Sequence, residues 1–311
     1  MKSSVRWNEV AEVGTSFALR FGGWFHRSFG RRPSLALAAL TAFYFNLRNG
    51  PGRRASARYL ARVATTPGGR AVLGASPGWR HVLRHFREIA ICTYDRMVVY
   101  SGAIDTLKLE QDGTERIFDI ARTGRGALLL GAHVGNLDLL GFVAREHHLR
   151  INIVAHFDNA ERVNAFFETL GANELRLIAL VPGSVRAAME IRACIDRGEI
   201  VVVMADRTPP GVEAPVESVD FFGRAANFPL GPFLLAGVMG CPVYFALCVR
   251  NGDARYTGIL RPISHGERIP RAERNQGARR MLVSYVALLE EVCERYPYQW
   301  FNFFDFWEEG G

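Results

Sequence analysis

Apolar residues recur at steps of three and four near the start of the chain and predict an amphipathic helix over residues 5–28. The stripe is largely aromatic and comprises Trp7, Val10, Val13, Phe17, Phe21, Trp24 and Phe25. A second apolar run, from Ser34 to Leu47, is shorter than the roughly 20 residues that a helix needs to cross a bilayer. Residues 1–50 therefore form either a helical hairpin packed on the domain or a helical membrane-associating segment. Arginines beside the aromatic stripe favour the membrane.

Short apolar runs alternate with helical patterns from residue 114 onward, which is typical of an α/β fold. Their hydrophobicity is continuous, so we expect a mainly parallel sheet that is flanked by helices on both faces. The candidate strands are residues 126–132, 151–155, 200–205, 243–249 and 256–260. The candidate helices are residues 79–100, a helix that begins at Ser184 and ends before Gly198, and a helix from Pro232 to Met239. Residues 51–311 are expected to form one domain.

The charge balance indicates an anionic partner. The chain has 311 residues and a net charge of +7, which suits nucleic acid, an acidic membrane leaflet or an acidic carrier protein. The arginines are dispersed and the sequence contains no recognised nucleic-acid-binding module, so nucleic acid is not expected as a partner.

The five cysteines are widely scattered, without a C-x-x-C pair or a neighbouring histidine cluster. This spacing indicates neither a zinc site nor a disulfide framework, so we expect reduced, mostly buried thiols and a cytoplasmic environment.

The clearest chemical motif follows the first predicted strand. The run from Gly126 leads directly into His133, then a Gly135-Asn136 turn, and then an apolar helix that contains Asp138. Ligands of open α/β sheets bind at the carboxyl ends of the strands. A carboxylate that bonds one ring nitrogen leaves the other free to accept a proton, so His133 and Asp138 can form a general-base pair. By the motif alone, His133 can equally be a structural histidine and Asp138 a favourable charge at a helix N-terminus.

This element resembles the His-x4-Asp/Glu motif of the lysophospholipid acyltransferase superfamily. It is most similar to the branch of lipid A biosynthesis late acyltransferases, whose segment reads H-x-G-N-W-E. His133, Gly135 and Asn136 are in register, with Leu137 in place of Trp and Asp138 in place of Glu.

Two further segments resemble that branch in order and spacing. The strand from Val201 ends in Asp206 and Arg207, like the family's strand that ends in an acidic residue. The run from Asp220 to Gly231 resembles its F-F-G-x-x-A-x-T-P-x-G loop, with Pro229 and Gly231 matching and Phe228 at the Thr position.

The resemblance implies a glycerol-3-phosphate acyltransferase-like fold and direct transfer of a fatty acyl group. The donor would be an acyl carrier protein thioester or acyl-CoA, and the acceptor a hydroxyl or amine of a lipid-like molecule such as an envelope glycolipid. His133 would be the general base, oriented by Asp138, with no metal or bound redox cofactor. The expected location is the cytoplasmic face of the inner membrane, on its anionic surface. The residues expected to bind substrate are Gly135, Asn136, Asp206, Arg207, Phe222, Gly223, Arg224, Pro229 and Gly231.

The departures from the family patterns concern the acceptor. Glycerolipid acyltransferases carry F-P-E-G-T where this chain has Phe228-Pro-Leu-Gly-Pro232, so the acidic residue is missing. One alternative is an acyltransferase with a specialised acceptor, such as an aryl polyene pigment, an aminolipid or a lysophospholipid. Two further alternatives are a thioesterase and a non-catalytic membrane or carrier-protein-binding protein. The chain lacks the G-x-G-x-x-G of dinucleotide-binding oxidoreductases and the G-x-S-x-G of serine hydrolases.

The C-terminal run from Tyr296 to Trp307 is unusually aromatic. It can wall an acyl-chain pocket or form part of the core or an edge strand.

Overall fold

The computed structural model describes residues 24–100, 106–116, 123–139, 149–156, 175–180, 185–208 and 214–307. Most of the predicted 5–28 helix lies outside these residues, and residues 24–29 are helical. The helices are α1 (Arg31–Arg48), α2 (Gly50–Val63), α3 (Pro67–Leu73), α4 (Trp79–Tyr100), α5 (Arg186–Asp196), α6 (Gly231–Met239) and α7 (Arg274–Arg295). The strands are β1 (Lys108–Asp112), β2 (Ala127–Gly131), β3 (Ile151–His156), β4 (Leu175–Leu180), β5 (Ile200–Met204), β6 (Val216–Phe221), β7 (Arg224–Pro229), β8 (Val243–Gly252) and β9 (Arg255–Ser264).

The main sheet is mostly parallel, as predicted. Within the described residues its strand order is β1-β9-β8-β2-β5-β3-β4. Strands β8, β2, β5, β3 and β4 run in one direction, whereas β9 is antiparallel to β8 and carries β1 at the edge. The five strands predicted from apolar runs are all present, because these runs supply the buried centre of the sheet. The helices predicted at 79–100, 184–198 and 232–239 are present as α4, α5 and α6, and Ser184 itself lies outside the described residues.

The apolar pattern did not reveal the exposed strands. Strand β1 lies at the sheet edge and is partly exposed along its length, and β6 alternates between exposed and half-buried positions. Strands β6 and β7 form a two-stranded antiparallel hairpin in the segment that was expected to be a loop. Such strands carry no continuous apolar run, because water covers one or both of their faces.

The C-terminal aromatic run belongs to the core. Tyr59, Phe221, Trp300, Phe306 and Trp307 are buried and form what we call the aromatic cluster. The ring centroid of Trp300 lies 4.9 to 5.3 Å from the ring centroids of Tyr59, Phe221 and Phe306, in edge-to-face geometry. Such contacts stabilise a core beyond the area that they bury. The cluster thereby fixes the C-terminal segment against the hairpin and α2.

The N-terminal helices pack on the domain. Helix α1 lies against α4, where Arg31 forms a partly buried ion pair with Asp95 (Nη1–Oδ1 2.5 Å). It buries the small side chains of Ser34 and Ala42. No helix among the described residues is long and apolar enough to cross a membrane.

All five cysteines are free, and all are buried as expected.

A tight turn joins the end of β2 to the residues that follow it. Gly135 has a φ of 63° and forms a bridge to Cys248 of β8. A Cβ atom at Gly135 would lie 2.1 Å from the carbonyl oxygen of Cys248, so a side chain there requires the backbone to move.

We predict that Gly135→Ala lowers the free energy of unfolding by about 2 kcal/mol or more, because the new side chain adds backbone strain to a clash. Gly231→Ala is the matched control, since a Cβ at Gly231 meets nothing within 4 Å. Urea unfolding of both variants measures the difference. Equal stabilities would contradict this role for the turn.

Candidate active site

His133 lies at the carboxyl edge of the sheet, two residues after the end of β2. Its carbonyl oxygen accepts a hydrogen bond from the Phe301 amide (2.8 Å), and the Gly135 amide donates to the Gln299 carbonyl (2.9 Å). The C-terminal segment therefore holds the backbone on both sides of the histidine. The side chain keeps 35% of its surface exposed, so a substrate can reach it.

The imidazole of His133 is paired with the carboxylate of Asp206. Nδ1 of His133 lies 2.8 Å from Oδ1 of Asp206, whose side chain is fully buried. A carboxylate only accepts hydrogen bonds, so Nδ1 carries the proton and Nε2 of the neutral ring has a free lone pair. This is the tautomer that a general base acting through Nε2 requires.

Asp206 is held as an anion. Burial raises the pKa of this carboxyl group, but the opposing charge and hydrogen bonds of His133, together with the charge of Arg207, lower it to about 2. Its second oxygen, Oδ2, accepts hydrogen bonds from the His133 amide and from the Trp300 indole, both at 3.1 Å. Asp206 therefore stays charged at neutral pH despite its burial.

The carboxylate that lies at Nδ1 of His133 is that of Asp206, and the expected role of Asp138 in orienting the imidazole stays a prediction. Asp138 forms an ion pair with Arg96 of α4 (Nε–Oδ2 2.6 Å). The sheet register explains the pairing. Gly131 of β2 lies beside Met204 of β5 in parallel register, so the residues two positions beyond each, His133 and Asp206, meet at the sheet edge.

Gly135 and Asn136 form the turn behind the histidine. The Asn136 amide donates to the Cys248 carbonyl (2.7 Å), and Asn136 is fully buried. Its Nδ2 lies 3.5 Å from the Cys92 carbonyl, and Oδ1 is buried without a hydrogen-bond partner in the part of the chain that the structure describes. The observed contacts of both residues are with the protein, and their expected contact with substrate stays a prediction.

Arg207 lies beside the pair with a largely desolvated guanidinium. Burial lowers its pKa, and Nη1 donates to the Phe301 carbonyl (3.4 Å). The guanidinium lies over the ring of Phe304, 5.6 Å from its centroid. Among the described residues no carboxylate forms a salt bridge with Arg207. A half-satisfied cation therefore lies next to the histidine.

The other predicted substrate residues lie on the hairpin and at its end. Phe222 and Gly223 form its tight turn, with φ values of 54° and 74°, and Arg224 is exposed at the start of β7. Pro229 is buried at the end of β7, and Gly231 is the first residue of α6. The turn end of the hairpin contributes Phe221 to the aromatic cluster, with the Phe221 ring centroid 5.3 Å from that of Trp300.

Two contributors to the site were not identified as such from the sequence. Trp300 bonds Asp206, and the Tyr285 hydroxyl donates to the carbonyl of Gly131 at the end of β2 (2.8 Å). The aromatic run at 296–307 was the available signal for Trp300, but a run of aromatic residues does not indicate which ring nitrogen meets a carboxylate.

The geometry is that of a site capable of general-base chemistry on an α/β fold. A half-exposed imidazole with a free Nε2, a buried anionic partner and a neighbouring cation can activate a hydroxyl or amine and bind an anionic group.

Comparison with protein families identifies its class. Residues 84–309 match the family model of the bacterial lipid A biosynthesis acyltransferases, and this match covers most of the chain. The chain belongs to this family and is an acyltransferase that acts on a lipid-like acceptor. Comparison with curated proteins finds no significant match.

Proposed function

We propose that the protein transfers a fatty acyl group from an acyl carrier protein or CoA thioester to a hydroxyl or amine of an envelope glycolipid of the lipid A type. The observation that carries this proposal is the bond between His133 and Asp206 at the carboxyl edge of a sheet whose chain belongs to this family. This bond fixes the proton on Nδ1, places a buried negative charge beside the imidazole, and leaves Nε2 free to accept a proton.

The reaction needs one proton acceptor and no enzyme nucleophile. Nε2 of His133 takes the proton from the acceptor hydroxyl or amine as its oxygen or nitrogen attacks the thioester carbonyl. A C–O or C–N bond forms, and the C–S bond breaks as the tetrahedral intermediate collapses. The proton on Nε2 then passes to the departing thiolate. Asp206 stabilises the imidazolium between these steps, because it is an anion 2.8 Å from Nδ1.

Asp138 acts indirectly in this scheme. Its ion pair with Arg96 ties the first turn after Asn136 to α4, which keeps the His133 turn in place. The proposal thus retains Asp138 as part of the catalytic element and assigns the contact with the imidazole to Asp206.

Arg207 is proposed to bind an anionic group of a substrate. A buried guanidinium with no ion-pair partner among the described residues gains most from a phosphate, which it can bind through two hydrogen bonds. Arg224, exposed at the start of β7, is proposed to contact a headgroup. Gly135, Asn136, Phe222, Gly223, Pro229 and Gly231 would shape the walls of the same substrate site.

An aryl polyene, an aminolipid or a lysophospholipid remains the alternative acceptor, because the chain departs from the family motifs at Leu137, Asp138 and Phe228. A non-catalytic membrane or carrier-protein-binding protein would have no need of a buried anion against a half-exposed histidine. The intact His133–Asp206 pair therefore favours the enzyme.

Lipid mass spectrometry of cells that lack the protein tests the proposal. We expect one acyl-bearing species to disappear, and to return with the wild-type chain but not with His133→Ala. The histidine loss should lower transfer by about a thousandfold. His265→Ala, at an exposed histidine on the chain, is the control and should restore the species. Full restoration by His133→Ala would overturn the mechanism.

The N-terminal segment, residues 1–50, is proposed to lie on the anionic surface of the inner membrane at its cytoplasmic face. Helix α1 packs small residues against the protein and exposes large apolar ones, whereas a surface helix of a soluble protein usually buries its large apolar residues. The exposed side chains are Leu40, Phe43, Tyr44, Phe45 and Leu47, each with 49% to 67% of its surface accessible. The sequence from residue 13 to residue 87 contains arginines but no Asp or Glu. An apolar face with a basic surround suits anionic lipid.

We predict that Leu40→Asp or Phe45→Asp weakens binding to phosphatidylglycerol vesicles about tenfold, because the substitution removes buried apolar surface and adds repulsion. Val283→Asp is the matched control, since Val283 is a similarly exposed apolar residue on α7. Vesicle co-sedimentation measures the affinities. Unchanged binding by the α1 variants, or an equal loss with Val283→Asp, would contradict this docking surface.

A further inference from the structure

We propose that Trp300 is a positioning residue whose indole N–H holds the Asp206 carboxylate in the orientation that His133 requires. This inference rests on the proposed general-base function of His133. Its physical basis is a set of contacts that join one short stretch near the C-terminus, residues 299–301, to both members of the pair.

The Asp206 carboxylate is held by three donors. Oδ1 accepts from Nδ1 of His133, while Oδ2 accepts from the His133 amide and from Nε1 of Trp300, the last two at 3.1 Å. Two of these donors belong to His133 itself and cannot fix the carboxylate independently of the histidine. The Trp300 indole is the donor from a different segment of the chain, and it holds the carboxylate in place.

The backbone of the same segment clamps the histidine. Trp300 forms an antiparallel bridge with Val134, and the Phe301 amide donates to the His133 carbonyl (2.8 Å). The relative positions of the imidazole and the carboxylate are thus set by one short stretch, residues 299–301. A rotation of the indole would disturb Asp206 without moving the histidine backbone.

The indole itself has little freedom to rotate. Trp300 keeps 1% of its surface exposed and lies in the aromatic cluster between Tyr59, Phe221 and Phe306.

The Trp300 backbone is anchored separately by a buried histidine. The Trp300 carbonyl accepts a hydrogen bond from Nε2 of His85 (2.9 Å), and Nδ1 of His85 accepts from the Ser56 hydroxyl (2.9 Å). Burial lowers the pKa of His85 to about 4, so this histidine stays neutral at physiological pH and the arrangement persists.

The indole N–H also shares the negative charge of Asp206. Without this donor the carboxylate can rotate away from its productive orientation, which lowers the turnover rate. The charge on its oxygens also becomes less dispersed, which favours the imidazolium and keeps the base protonated to higher pH. Substrate affinity should change little, because none of these contacts involves the substrate.

The chain offers a matched control at Trp307. This indole is buried in the same aromatic cluster and also donates one hydrogen bond, to the Phe221 carbonyl (3.1 Å), which is not part of the catalytic pair. Trp300→Phe and Trp307→Phe each remove one indole ring and one buried hydrogen bond. The difference between them therefore isolates the contact with Asp206.

Steady-state kinetics across pH, with thermal unfolding of the same samples, tests the inference. We expect Trp300→Phe to lower kcat about tenfold with KM within about twofold, as the loss of one hydrogen bond to a charged group predicts, and to move the acid limb of the pH–rate profile to higher pH. Trp307→Phe should keep the wild-type profile. If both variants lose activity in proportion to stability, with the acid limb unmoved, the inference is wrong.

Two further variants separate a folding defect from the loss of the hydrogen bond, and the failure of this inference from the failure of the proposed function. If Trp300→Phe does not fold, replacement of Trp300 by 3-benzothienylalanine removes the N–H and retains the bicyclic shape. An unchanged kcat in that protein would also overturn the inference. His133→Ala in the same assay tests the underlying function, since wild-type activity there refutes the general base whatever Trp300 does.

Discussion

The site depends on one buried charge, the carboxylate of Asp206. An anion taken out of water is costly unless several donors surround it, and here three hydrogen bonds do so. Two come from His133 after β2 and one from Trp300 near the C-terminus. The carboxylate therefore links the sheet edge, the histidine turn and the C-terminal segment. If any of these three elements moves, the buried carboxylate loses a hydrogen bond. The free-energy cost of that loss favours a single arrangement of the site.

The register of the parallel sheet brings the two members of the pair together. Strands β2 and β5 are neighbours whose last residues, Gly131 and Met204, lie side by side. The chain needs only two more residues on each strand to bring an imidazole to a carboxylate. The sheet itself thus positions the pair to which we assign proton transfer, and Arg207 follows directly on the same strand end.

The central strands and His133 could be predicted from the sequence, because continuous apolar runs mark a sheet covered on both faces. The partner of the histidine could not, since Asp138 is close in sequence whereas Asp206 is close only through the pairing of β2 with β5. Strands β1, β4, β6 and β7 escaped detection because exposed strands and strands at the sheet edge carry mixed residues. Trp300 was visible as part of an aromatic run, but its bond to Asp206 depends on the packing of distant rings.

The most direct test of the central claim is nitrogen NMR of the His133 imidazole in the wild-type protein, Asp206→Asn and Asp138→Asn. The structure predicts that neutral His133 carries its proton on Nδ1 in the wild type. Asp138→Asn should preserve that signature, and Asp206→Asn should lose it, because an amide can present a donor to Nδ1. A wild-type tautomer protonated on Nε2, or a signature lost in Asp138→Asn and kept in Asp206→Asn, would contradict the account.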